Sequence, residues 1–134
     1  MGGASSHDIE DGILNPYADD FEEQYWFMRR SRCRFRVNHH SWWKEELPSD
    51  EEYAEALKTM ERIGWAADYI ITHCAPSSIV KKLNTDYDLD RLTAFLEEVR
   101  QNVNFHYWLF GHYHDNKIID ERYVLLWEQI VPII

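Results

Sequence analysis

Phe105-His106-Tyr107-Trp108-Leu109-Phe110-Gly111-His112-Tyr113-His114 is the stretch that decides the fold. Its apolar half reads as a buried strand, and Gly111 is expected to let the backbone turn where the strand ends. Upstream, Asp68-Tyr69-Ile70-Ile71-Thr72 is a second buried run, ending in His73 and closed by Pro76. Period-two alternation would set His112 and His114 on one side of an extended chain, offering their nitrogens to one cavity, with His73 as a third donor at a strand end. Imidazole nitrogen binds divalent transition metals at about 2.0–2.1 Å, and three such donors are the ligand count of a catalytic zinc site.

Helices are legible on either side of these strands. Ser49 followed by Glu52 is a capping box, and Tyr53, Leu57 and Met60 then recur at helical spacing until Gly64. Leu89, Leu92, Phe95, Leu96, Val99 and Val103 mark a second amphipathic helix that leads into the Phe105 strand. The order is helix, strand, helix, strand. Lys117-Ile118-Ile119, a turn at Asp120-Glu121-Arg122 and Tyr123 to Ile130 then read as a terminal antiparallel hairpin. The fold class is therefore α/β, or α+β with helices layered on a sheet. Gly2 to Ser6 is expected to be extended. Phe21 to Val37, free of Gly and Pro, is expected to be helical within an excursion from the core over residues 15–48.

With 134 residues the chain fits one domain, and its 45 % hydrophobic and 15 % aromatic content is that of a folded protein. A formal charge of −10 argues against nucleic acid as a partner. The basic exception is Arg29, Arg30, Arg32, Arg34 and Arg36, readable either as an anion site or as a solvated face paired with the acidic run Asp19 to Glu23. Two cysteines without a CxxC spacing fit a reducing compartment, and Cys74 is expected to be a buried thiol. No apolar run reaches membrane-span length and no signal peptide is recognisable, so a cytoplasmic protein without a membrane partner is expected.

Several of these residues carry a family resemblance. Thr72-His73-Cys74-Ala75-Pro76 is similar to the Thr-His-x-x-Pro element of the calcineurin-like metallophosphoesterases, and Gly111-His112-Tyr113-His114 to their Gly-His-x-His element. Gly2 to Ser6, Ser41 to Pro48 and the terminal hairpin also resemble a bacterial branch of that family. The resemblance implies the C-terminal half of a four-layer αββα sandwich that hydrolyses a phosphate-ester substrate. It implies a binuclear centre of two divalent transition metal ions, manganese, iron or zinc, with His73 and His112 on one and His114 on the other. Two cations about 3.5–4 Å apart clamp phosphoryl oxygens and supply a hydroxide nucleophile at neutral pH.

The family's Asp-x-His, Gly-Asp-x-x-Asp and Gly-Asn-His-Asp/Glu elements have no counterpart in this sequence; Asp8, Asp11 and Asn38-His39 do not reproduce them. No catalytic acid or base is assigned, and partial or no metal occupancy is expected in this chain alone. The expectation is a fragment of a longer enzyme, or a non-catalytic interaction module that completes a partner carrying the N-terminal half. A mononuclear three-His site is the further alternative. An uncovered inner sheet face would favour self-association.

Lesser candidates are weighed against plainer roles. His7 and Asp8, in a segment resembling a family loop near the substrate mouth, are substrate-near candidates against an ordinary polar turn. Asp115 is a candidate to orient an imidazole through its carboxylate, against a turn role. His106 reads as a surface or packed histidine, and His39 and His40 carry little signal. Trp42 and Trp43 are expected to close over a core.

Overall fold

The computed structural model describes residues 3–132. The expected extended start at Gly2 lies partly outside them, and the chain has no regular element from Gly3 to Ser6. The architecture is mixed α/β with two separate sheets, neither closed into a barrel. Two compact units share the described residues: 5–46 form one, and 3–4 with 47–132 form the other.

In the larger unit, α2 (Asp50–Arg62) begins at a capping box. The Ser49 hydroxyl accepts from Glu52 N, and Ser49 N donates to the Glu52 carboxylate. The helix ends where Gly64 takes φ +66° and donates to Glu61 O, while Trp65 donates to Met60 O. That pair of bonds is the left-handed closure that glycine makes without a Cβ penalty. Strand β3 (Ala66–Ile71) follows, then two helices, α3 (Ser77–Leu83) and α4 (Arg91–Asn102), and strand β4 (Asn104–Phe110). α3 was not visible in the apolar pattern. It has only 7 residues and starts directly after Pro76, which suits a helix start as well as it stops a strand. Its first turn is capped from outside, because Ser78 N donates to the Glu97 carboxylate of α4 at 3.0 Å.

Strands β5 (Lys117–Ile119) and β6 (Tyr123–Leu125) form the antiparallel hairpin, and the four strands are ordered β3-β4-β6-β5. β6 is shorter than the expected Tyr123–Ile130. Leu126 N still bonds Phe110 O, but Trp127 N turns to the Asn116 side chain and leaves the ladder. β3, β4 and β6 run parallel, with Ile70 beside Trp108 and Ile71 beside Leu109. One sheet face packs on the helices through Ile70, Trp108, Phe110 and Leu125 against Ile79, Val80, Leu92, Leu96 and Val99. On the opposite face Tyr69 stacks on Tyr107, and Ile71 and Ile118 are 61 % and 67 % exposed.

In the smaller unit, β1 (Ile13–Leu14) pairs in parallel with β2 (Arg36–Val37), and α1 (Phe21–Arg30) lies between them in sequence. The helix stops well short of Val37. Arg32 adopts φ 56° and donates to Arg29 O, and Cys33 N reaches back to Met28 O, closing the helix as Gly64 closes α2. Leu14 and Val37 are buried, while Trp43 is exposed, contrary to its expected core role. Among the described residues no helix is long and apolar enough to cross a membrane.

Candidate metal centre

The parallel ladder sets the site. Thr72 N donates to Leu109 O, and Gly111 N donates to His73 O, so pairing continues past the strands and brings His73 level with Gly111. His73 and His112 therefore emerge side by side at the carboxyl ends of adjacent parallel strands, where open α/β sheets hold their ligands. Their ring centres are 5.2 Å apart, with the planes at 65°. His73 is exposed and His112 half-buried.

Beyond Phe110 the chain is not extended, so the alternation expected to align His112 with His114 does not operate. His112 takes φ 71° and His114 φ 49°, and Tyr113 N donates to Gly111 O across a tight bend. Gly111 itself does not hold the left-handed conformation. A Cβ there would meet Leu126 O at 3.5 Å and His73 Nδ1 at 4.0 Å, ordinary contact distances. A left-handed residue with a side chain costs about 1–2 kcal/mol. The same conformation occurs at Arg32, His39, Trp65, Asp120 and Glu121, so at His112 and His114 it marks the tight bend and does not by itself single out a site.

His114 goes elsewhere: its ring stacks on Trp127, centres 5.5 Å apart and planes at 16°. Among the described residues no three His, Cys, Asp or Glu side chains gather as a metal-holding group. Of the three imidazoles expected to share one cavity, His73 and His112 approach one another, while His114 lies against Trp127.

Neighbouring residues to which the sequence assigned no part in the site support this pair. The Trp108 indole N–H donates to Thr72 Oγ1 at 2.8 Å, and that hydroxyl donates to Cys74 O. Both side chains are buried, so β3 and β4 are pinned together just before the histidines. Tyr113 turns inward between them. Its hydroxyl meets Cys74 Sγ at 3.2 Å, its ring stacks on Tyr87 at 5.4 Å, and His112 sits edge-on at 4.9 Å. Burial, reinforced by Cys74, pushes the Tyr113 phenol well above its ordinary value. Burial also raises the Cys74 thiol, so both groups stay neutral at physiological pH. The cue was present in the sequence as the variable position of Gly-His-x-His, occupied by a large aromatic.

The lesser candidates find local roles. Asp115 is exposed and accepts from Asn116 N in its own turn. Asp8, in the smaller unit, receives Arg36 through two nitrogens at 2.8 and 2.7 Å. That contact holds its carboxyl below the usual range. His7 is exposed, and its carbonyl accepts from Arg34. His106 pairs with Asp68 at 3.2 Å on the surface. No protein-family model, curated protein or solved structure matches the chain.

Proposed function

We propose that the chain contributes the C-terminal part of a calcineurin-like metallophosphoesterase that hydrolyses phosphate esters at a binuclear metal centre. The observation that carries this reading is the spacing of His73 and His112. Two imidazoles on one cation at about 2.1 Å, with a near-tetrahedral angle between them, set their ring centres roughly 5.2 Å apart. The two rings stand at 5.2 Å. The donor set fits a transition metal such as manganese, iron or zinc, since neutral imidazole leaves the full cationic charge to meet a phosphate.

In this reading His73 and His112 hold one cation, and His114, presented by its stack on Trp127, serves the other. When bound, such a pair draws charge from the phosphoryl oxygens and supplies hydroxide at neutral pH. The protein's own part is orientation. Thr72 and Trp108 fix the strand ends, while Tyr113 and Cys74 place a neutral, packed support behind His112. The exposed apolar sheet face bearing Tyr69, Tyr107, Ile71 and Ile118 supports a second half-domain there, completing a four-layer sandwich and bringing the remaining carboxylate and amide donors.

The test is Mn2+-dependent turnover of an aryl phosphate by the native protein, isolated with whatever chain covers that face. Turnover abolished in His73→Ala and in His112→Ala is the expected result. No turnover, or turnover indifferent to both substitutions, contradicts the proposal.

A further inference from the structure

The smaller unit holds a cleft of about 650 Å³ between α1 and the segment carrying β2, within the range of about 300–1,000 Å³ typical of small-molecule sites. Phe21, Tyr25 and Phe35 line it, with Tyr25 standing edge-on to Phe35 at 5.6 Å. Arg29 and Arg34 are also on its wall.

The guanidiniums of this segment have mostly been committed. Arg34 pairs with Glu10 at 2.7 Å, Arg36 with Asp8 at 2.7 Å, and Arg30 Nε donates to Trp26 O at 3.2 Å. Asp8, the carboxylate on the cleft wall, is thereby neutralised. Arg29 is different: among the described residues it has neither an ion pair nor a side-chain hydrogen bond, and it faces the cleft. A planar guanidinium with its donors unspent recognises phosphate or carboxylate through paired hydrogen bonds. Aromatic walls favour a flat ring.

We propose that this cleft binds a small anion carrying a planar ring, of the nucleoside monophosphate class, with Arg29 on the anionic group and the aromatic wall against the ring. The site is independent of the metal centre proposed above. Its chemistry also distinguishes the ligand from free phosphate, which has no ring to offer the aromatic wall.

Cys33 lines the same cleft and is half-exposed, whereas Cys74, the only other cysteine, is buried, so thiol labelling reports the cleft locally. The experiment is the rate of labelling by an aromatic disulfide, with EDTA present so that no cation site contributes. AMP is expected to slow Cys33 labelling at least threefold, and inorganic phosphate at the same concentration to slow it less. Arg29→Gln should raise the half-protecting AMP concentration about tenfold, a loss of about 1.4 kcal/mol. Arg29→Lys, which keeps the charge, should lie between. Labelling indifferent to AMP, protection unchanged in Arg29→Gln, or protection by phosphate equal to that by AMP overturns the proposal. Because the reporter and the chelated conditions exclude the histidines, failure here is separate from failure of the phosphoesterase reading.

Discussion

Trp108 and Thr72 are joined across β4 and β3 by an indole N–H that donates to a buried hydroxyl at 2.8 Å, one residue before His73. The hydroxyl passes the bond on to Cys74 O, so a single side chain satisfies two buried groups. Thr72→Val keeps the shape and strands the indole donor in a core where Trp108 is fully buried. A loss of about 1–3 kcal/mol is expected in denaturant unfolding. A variant as stable as the parent would show that the bond is not holding the strand ends.

Glu97 links α3 to α4. Burial of its carboxyl opposes ionisation, but Arg100 and the Ser78 N–H outweigh it and lower its pKa from 4.5 to about 2. Because the folded value is depressed, the stabilisation is complete above pH 4.5 and disappears as the pH falls toward 2. Glu97→Gln is therefore expected to be less stable at neutral pH by about 1.5–3 kcal/mol, the range for a charged hydrogen bond. Unfolding curves across this window should show the gap to the parent closing on acidification; a gap independent of pH would remove the electrostatic explanation.

α1 ends on a left-handed arginine, Arg32, at φ 56°, where α2 ends on Gly64 at φ 66°. Relief of Cβ strain at that position favours glycine, and the larger backbone freedom of glycine in the unfolded chain takes part of the gain back. Arg32→Gly should raise stability by roughly 0.5–1 kcal/mol, and Gly64→Ala should lower it by about 1 kcal/mol. Thermal melts of both variants check the pair, and a destabilised Arg32→Gly would mean that the arginine side chain contributes more than its backbone strain removes.

The two thiols should differ sharply. Cys33 is half-exposed, while Cys74 is 3 % exposed with its thiol pushed above the ordinary value by burial. An aromatic disulfide should label one thiol in the folded protein and the second only after denaturation. Two fast thiols would show that the Cys74–Tyr113 contact opens readily.

Much of this fold was legible wherever local chemistry carries its own punctuation. Ser49, Glu52 and Gly64 marked both ends of α2, and the two apolar runs gave β3 and β4. The second capping box, Asp90 with Thr93, escaped notice because a threonine stands where glutamate or glutamine is the usual partner. Sheet order was not readable, since the parallel pairing of β4 with both β3 and β6 depends on contacts far apart in sequence. At the candidate site, residue type and spacing single out the histidines as candidates. Their directions were not legible, because alternation holds only in extended chain and the backbone coils at His112 and His114.

The proposed pairing of His73 with His112 on one cation is tested most directly by Zn2+ titration calorimetry of the parent, three single alanine variants and one double variant. His73→Ala and His112→Ala should each abolish the same binding event, the double variant should lose no more than either alone, and His114→Ala should retain it. Binding that survives both single substitutions, or that depends on His114 as strongly as on the other two, contradicts the assignment.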